Sequence, residues 1–489
     1  MNIFMVIYTT IRFIIDYTVD FLFGLYFNRT RQFISTPNNK LVLESATCLA
    51  QKIRKKEVTS EAVVKAFIDR INEVNPILNA VVDKRFEEAL DEARQIDVDI
   101  RSLSITFGLV PRQYEFGEKD AKVVELMKKA GGILIGVTNI PQLNRWVESY
   151  NPVYGKTCNP YNTTRNVGGS TGGEACIIAA RGSPIGIGTD IGGSIRIPAF
   201  RCGIFGHKPS NELISTAGLT FRTGVENPTM VTAGPVSAHS EDLMPLLKVL
   251  LDDNVNKLQL NKEVDIKKVK IYYMLAYNCF KSSPMPTVMQ EVVLKCTHHF
   301  DSVSETKPKE VVFENTKYGT SMWMHMLTKE KDNFSKQIMN NNMEASPFGE
   351  IFKYIYRQSD LTIYSLINIL NEKVFPKVNA EWAEHVMKQL KDEIIETLGD
   401  DGVLLCPSEA YPAGYHYTSV LRPYNFSCYS IWNALKVPVT QVPVGLNKDG
   451  LPIGIQVVGA PMHDHLCLAV AKELENAFGG YVPPFPVNN

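Results

Sequence analysis

What the chain has little of narrows its chemistry first. Basic and acidic side chains nearly cancel, 51 against 52, for a formal net charge of −1. A balance of that kind builds no strongly basic surface, so nucleic acid is not an expected partner. The nine cysteines are scattered and odd in number, with no C-x-x-C pair, which argues against a disulfide framework and a cysteine-rich zinc site. Nine histidines form no spaced set and H-E-x-x-H is absent, so no metal is expected. The stretch Gly203-Ile204-Phe205-Gly206-His207-Lys208 lacks the spacing of a phosphate-binding loop. No repeat or low-complexity tract stands out. One local absence bears on catalysis: no lysine lies between Lys84 and Lys119.

What is present is an ordinary globular composition, 45% hydrophobic and 21% charged, in 489 residues. That length suits several average domains or one large domain with insertions. Residues Ile3 to Phe27 are almost all apolar or aromatic, broken by Arg12, Asp16 and Asp20. These fall four apart, so on a helix they form one narrow polar stripe in which Arg12 and Asp16 are placed to pair. The length suits a bilayer span, while the charges make full immersion costly. Residues 1–31 therefore read as a hydrophobic membrane anchor, single-pass or monotopic. Arg29, Arg31 and Lys40 follow it and favour a cytosolic body. Ser35 to Lys40 reads as a polar linker, and the body occupies 41–489.

Along the body, helical and strand-like patterns alternate. Helices are expected over Ser45–Arg54, from a Ser60 cap to a stop near Asn75-Pro76, over Arg85–Gln95, over Asp120–Ala130 and over His463–Glu475. Asp97–Gln113 offers no convincing buried strand. Strand candidates are Asn79–Val82, Ile133–Gly136, Val269–Tyr273, Val311–Phe313, Gly402–Leu405, Val439–Val444 and Gly454–Val458. The rhythm predicts an α/β protein, a mixed twisted central sheet covered on both faces by helices. Residues 257–397 are richer in Lys, Asn and Met and read as a more variable helical region. There Trp323, Met324, Met326, Leu327, Phe352, Ile355, Tyr356 and Leu361 form either a helical core or a wall for a long apolar substrate.

The chemistry concentrates between Gly168 and Ser210. Glycine doublets stand beside small hydroxyls, first in Gly168-Gly169-Ser170-Thr171-Gly172-Gly173 and then in Gly192-Gly193-Ser194. Backbone that turns sharply there can present successive N–H groups beside a serine, as an oxyanion hole requires; a glycine-rich packing core is the alternative. Gly168 to Gly172 satisfies G-x-S-x-G literally. The preceding CNPYNTTRNV is turn-like, which argues against the strand of a nucleophile elbow.

The run GGSTGGEACIIAARGSPIGIGTDIGGSIRIPAF closely resembles the amidase signature family. SYNPVYGKTCNPYN, PVTQVPVGLNKDGLPIGIQVVG and AKELENAFGGYVPP extend the resemblance over most of the chain. The apolar N-terminus and LVLESATCLA look most like the membrane-associated fatty acid amide hydrolase branch. The resemblance implies the amidase-signature fold, with Ser194 as nucleophile and Ser170 as a bridging serine held by a cis peptide. It implies an oxyanion hole from the N–H groups of Ile191, Gly192, Gly193 and Ser194, with Asp190 and Arg196 in support. The implied reaction is hydrolysis of a fatty acid amide, or another apolar amide or an ester, through an acyl-enzyme, with no metal or organic cofactor. Membrane lipid is the other implied partner, and homodimer formation stays open. The family's third catalytic residue is a lysine in a phrase of the form GxPxxxK. Here Ser102-Leu103-Ser104 runs directly into Ile105-Thr106-Phe107-Gly108, and that phrase is absent. Lys119 and Lys122 belong with the next helix, and Lys208 matches a separate position. No residue is assigned as general base. The alternatives are a catalytically inactive binding or scaffolding relative and a truncated isoform.

Overall fold

A computed structural model describes residues 3–94, 105–226, 229–330 and 333–486. The end of the expected Arg85–Gln95 helix, part of the Asp97–Gln113 stretch and Ser104, at the junction where the lysine phrase is absent, lie outside the described residues. Twelve strands occur among the described residues. Two short pairs, β1 (Val81–Lys84) with β2 (Gly136–Thr138) and β3 (Tyr150–Asn151) with β4 (Gly155–Lys156), flank the main sheet. The main sheet has eight strands: β5 (Ile185–Asp190), β6 (Phe205–Lys208), β7 (Thr232–Ser237), β8 (Lys270–Tyr273), β9 (Lys309–Glu310), β10 (Gly402–Pro407), β11 (Val439–Leu446) and β12 (Pro452–Gly459). Their spatial order is β5-β7-β6-β11-β12-β10-β8-β9. Pairing is antiparallel from β5 to β10 and parallel from β10 to β9, so the sheet is mixed.

Alternation along the central strands assigns the two faces. On β10, Val403 and Leu405 pack with Val442, Ile455 and Val457 against the helices Leu243–Leu251, Thr287–Val303 and Asp464–Phe478. Leu404 and Cys406 point the other way, into a core shared with the helices Gly319–Lys329, Ala380–Leu398 and Ser427–Ala434. Helices thus cover both faces, as the α/β reading expects.

Several expected boundaries shift for local reasons. Thr59, not Ser60, caps the next helix, because its side chain accepts the Ala62 N–H at 3.1 Å. That helix does not stop at Pro76 but runs to Leu78, where Asn79 turns left-handed at φ 50°. The Asn75 side chain accepts the N–H groups of Ala80 and Val81, which secures the exit. The Ile133–Gly136 candidate yields a strand only at Gly136–Thr138, and Val311–Phe313 gives way to a two-residue strand at Lys309–Glu310.

The N-terminal segment forms one helix, Ile3–Phe27. No helix among the described residues is long and apolar enough to cross a membrane, so the single-pass expectation is not supported. The physical reason lies in the polar stripe. Arg422 donates from Nε to Asp16 Oδ1 at 2.8 Å, from Nη1 to Asp20 Oδ1 at 3.0 Å and from Nη2 to the Asp16 carbonyl at 2.6 Å. Asp16 is only 1% exposed. Phe27 stacks on Tyr415 with ring centroids 6.1 Å apart. The stripe therefore faces the body, and Ile7, Ile11, Ile14, Phe21, Leu22 and Leu25 face outward. Removing one partner of a buried ion pair typically costs about 3–5 kcal/mol. Arg422→Ala should accordingly cut hydrogen-exchange protection in the helix by a large part of that amount. Combining it with Asp16→Asn and Asp20→Asn should recover part of the loss, because no carboxylate is then left buried alone.

Candidate active site

Strand β5 ends at Asp190, and the chain turns through Ile191-Gly192-Gly193 to Ser194 and the helix Arg196–Arg201. Gly193 sits at φ 116°, and a Cβ there would lie 2.6 Å from the Cβ of Tyr429. Glycine is what lets this loop press against the Ser427–Ala434 helix. Ser194 is 8% exposed and Ser170 2%. Both line a cavity of about 940 Å³, within the range of small-molecule sites. The Gly169–Ser170 peptide is cis, as the family resemblance implies. The Thr171 N–H donates to the Ser194 carbonyl at 3.2 Å, and Ser149 Oγ donates to the Gly168 carbonyl at 3.0 Å, so the two serine segments are tied together. The segment before Ser170 carries only isolated bridges, and no strand leads into a nucleophile elbow.

Asp190 and Arg196 form a fully buried ion pair, Nε to Oδ2 at 3.0 Å. Asp190 also accepts the Gly193 N–H at 2.7 Å, the Ile195 N–H at 3.2 Å and the Asn433 amide at 2.9 Å. Arg196 reaches on to Gln456 Oε1 at 2.9 Å and Asn433 Oδ1 at 2.7 Å. Burial alone would raise the Asp190 carboxyl, but Arg196, Lys208 and Asn433 outweigh it and hold it below the usual carboxylate range. The Gly193 N–H is thereby committed to Asp190. Of the four expected oxyanion donors, those of Ile191, Gly192 and Ser194 have no acceptor among the described residues. Trp323 braces the same loop, its Nε1 donating to the Ile191 carbonyl at 2.7 Å, and its ring packs against Phe426. Asn433 and Gln456 were not found in the sequence, and Trp323 was read as core or substrate wall rather than as a brace of this loop; each lies more than 130 residues from the partner it serves.

Of the other expected wall residues, Met326 and Leu361 are core, whereas Phe352, Ile355 and Tyr356 are exposed on or just after the helix Pro347–Ile355.

The two serine hydroxyls have no hydrogen-bond partner among the described residues. Lys208 is fully buried, donating to the Pro209 carbonyl at 2.8 Å and Asn211 Oδ1 at 2.9 Å. Burial, with Arg196 nearby, pushes its ammonium down to about 7, against the opposing pull of Asp190 and Asp464. It does not line the cavity of the two serines. Lys119 precedes the helix Lys122–Lys129 rather than belonging to it, and lies exposed at the cavity mouth. Of the carboxyls that line the cavity, Glu118 and Asp120 are exposed and Glu174 stands in the first turn of the Gly172–Ala179 helix. Its Oε2 accepts the Thr138 hydroxyl at 2.9 Å. Burial pushes it up to about 7, with Thr138 opposing.

Two serines on one cavity wall, a buried aspartate–arginine brace and N–H groups beside the second serine, set on a mixed sheet between helix layers, make up the candidate site of an amidase-type fold. The chain belongs to the Amidase family, which it matches over residues 62–468, and is a hydrolase acting on amides. Human Fatty-acid amide hydrolase 2 is 37% identical over 485 residues, covering 91% of each chain. Zebrafish (Danio rerio) Fatty-acid amide hydrolase 2-B is 39% identical over 482 residues, again covering 91% of each. Among solved structures, fatty acid amide hydrolase superposes with a TM-score of 0.70 at 20% identity, over 92% of this chain and 87% of that one. The substrate complex of 6-aminohexanoate cyclic dimer hydrolase superposes with a TM-score of 0.73 at 20% identity, over 90% and 98%. The human alignment is 485 positions long yet takes up 91% of a 489-residue chain, so about forty of its positions have no counterpart here. A shortfall of that size is long enough to hold the absent lysine phrase.

Glu174 gives the site a pH signature. Unfolded, its carboxyl titrates near the ordinary value of 4.5; folded, near 7. Between those values the native state keeps a proton that the unfolded chain has released, so stability falls as pH rises through that window and stays low above it. Glu174→Gln removes the effect. In urea unfolding it should match the parent at pH 4.5 and exceed it at pH 8 by about 1–3 kcal/mol.

Proposed function

We propose that the chain is a serine amidase of fatty acid amides in which Ser194 is the nucleophile and Ser170 relays its proton. The observation that carries this is the placement of both hydroxyls on one cavity wall, with Ser194 braced by Asp190 and Arg196. Ser194 Oγ attacks the amide carbonyl while its proton passes to Ser170 Oγ, and the Ser170 proton leaves to a base. The N–H groups of Ile191, Gly192 and Ser194 receive the oxyanion. Ser170 then returns a proton to the leaving nitrogen, the acyl-enzyme forms, and water releases the acid. The apolar Trp323–Phe426 pair beside the loop, and the names of the human and zebrafish relatives, support a fatty acyl chain as the acid part.

Oriented general-base catalysis contributes about 10²–10⁴-fold. With no side chain among the described residues assigned to that role, turnover should be lower by a factor of that order than in a version carrying a lysine-bearing family segment between Ser104 and Ile105. The measurement is oleamide hydrolysis by both, beside thermal unfolding of both. Equal rates within about tenfold would require another base. A fluorophosphonate probe should label Ser194 slowly in the parent and not at all in Ser194→Ala; labelling that survives there but vanishes in Ser170→Ala would reverse the two roles.

We also propose monotopic membrane association through the outward face of the Ile3–Phe27 helix. Ile11→Glu, Ile14→Glu and Phe21→Glu together leave the Asp16–Arg422 pair intact. They should move the protein from the vesicle-bound to the free fraction in flotation without lowering its unfolding temperature. Unchanged flotation would assign membrane binding elsewhere.

A further inference from the structure

Glu174 stands apart from every other charged group around the cavity. Arg85 is buried and paired with Glu92, Lys128 pairs with Asp120 at 2.8 Å, and Arg222 pairs with Glu330 at 2.9 Å. Arg145 also lines the cavity and has an interaction of its own, and Glu118 and Lys119 lie exposed at the mouth. Glu174 has no cationic partner among the described residues. Only Oε2 is taken, by the Thr138 hydroxyl, and Oε1 lies against Gly186 of β5, at a place any Cβ would fill. Two residues on, the Thr171 side chain covers Gly188 in the same way. This face of β5 therefore sets a carboxyl and a hydroxyl side by side, next to Ser170. Strand β5 pairs only with β7, so among the described residues its outer backbone edge has no strand alongside. Val64, Phe67, Ile71 and Ile135 line the same cavity and give it apolar surface.

We propose that this cavity is a binding site for a small primary alkylamine, held with its nitrogen between Glu174 and Ser170 and its carbon chain along the Phe67–Ile71 wall, and that the bound amine supplies the proton-accepting nitrogen which no side chain of this chain provides. A carboxylate and hydroxyls satisfy an ammonium's three donors, while the apolar wall shields the alkyl chain. Because burial holds the Glu174 carboxyl up to about 7, an arriving ammonium also offsets an existing penalty for its ionisation. The catalytic half of the proposal rests on the serine-hydrolase reading; the binding half does not. In the chemical step, the bound alkylammonium first passes one proton to the Glu174 carboxylate, and the neutral amine so formed takes the Ser170 hydroxyl proton as Ser170 Oγ takes that of Ser194. The Ser194 Oγ–carbon bond forms and the carbonyl π pair moves to oxygen. As the carbon–nitrogen bond breaks, the alkylammonium returns its proton through Ser170 to the leaving nitrogen, so the amine is regenerated.

Butylamine is the probe. Ligand-observed NMR with Ser194→Ala protein should show saturable binding that weakens at least about tenfold in Ser194→Ala/Glu174→Gln, and that persists with Glu174→Asp in place of Glu174→Gln, which keeps the charge. On the parent chain, butylamine should raise the rate of fluorophosphonate labelling of Ser194 about 10–100-fold and saturably, with a higher half-saturating concentration in Glu174→Gln. N,N,N-trimethylbutylammonium, which has no lone pair, should not accelerate it. Absent or non-saturable binding, or binding indifferent to Glu174, would overturn the site. Acceleration by the trimethyl compound, or binding without acceleration while Ser194 still labels, would overturn the base role. Absence of Ser194 labelling in both the parent and the lysine-restored version would instead refute the serine-hydrolase reading and with it the base role, and binding would still decide the site.

Discussion

The buried pair between Asp190 and Arg196 holds the catalytic loop to the sheet. A charge removed from water is tolerated only when its hydrogen bonds are satisfied, and here they are. Asp190 takes the N–H groups of Gly193 and Ile195 on either side of Ser194, so the backbone of Ser194 is fixed from both flanks. Arg196 carries that constraint away from the loop, to Gln456 on β12 and Asn433 on the Ser427–Ala434 helix. The loop that follows an edge strand is thus anchored to the middle of the sheet. Ser194 keeps its place even though β5 has a partner on one side only.

That anchoring separates two requirements of acyl transfer. In the proposed reaction, nucleophile placement and oxyanion stabilisation come from one continuous stretch, Gly168 to Arg201, braced by distant residues of the sheet and helices. Proton acceptance must come from the cavity side, where β5 meets the walls from the Ser60–Leu78 helix and the β1–β2 pair. An oxyanion donor is worth about 10²–10³-fold and a general base about 10²–10⁴-fold, so losing the second leaves a site that still binds and polarises but turns over slowly. The Glu174 carboxyl and the open edge of β5 belong to the same side, which is why the chemistry of the cavity and the missing base are one question.

Legibility in the sequence followed the side chains. The strands β10, β11 and β12 read clearly because Val, Leu and Ile dominate them. The strands β5, β6 and β7 escaped, since IGIGTD, FGHK and TAGPVS alternate glycine or proline with other residues and carry no apolar period. Yet β5 is the strand that delivers Ser194. Its glycines are needed because Thr171 and Glu174 lie over Gly188 and Gly186. Pro76 was read as a stop, but it falls in the last turn of its helix, where Asn75 side-chain bonds secure the exit. In the site, Ser170, Asp190, Ser194 and Arg196 were legible because they share one motif. Asn433 and Gln456 were not, and Trp323 was read only as core or substrate wall, because their bracing role exists only once the fold brings them to the loop. Glu174 was hidden by position: a glutamate in a first helical turn is ordinarily a helix-dipole residue, and nothing local marks it as facing a cavity.

The N-terminal helix inverts the usual amphipathic rule. On a surface helix the charged stripe meets water and the apolar stripe meets the core. Here Asp16 and Asp20 turn inward because Arg422 awaits them on the body, and the isoleucines and phenylalanines turn outward. In water both choices are unfavourable at once: a carboxylate is desolvated, and apolar surface stays wet at about 25 cal/mol for each Å². A bilayer reverses the second term, because the outward face then lies in the acyl region while the ion pair remains sheltered by protein. The inward salt bridge and the outward apolar face both fit the proposed monotopic association, in which a helix fixed in orientation by charge would lie flat on a membrane rather than through it. In such an arrangement an apolar amide dissolved in the bilayer lies on the same side as the helix that docks the hydrolase there.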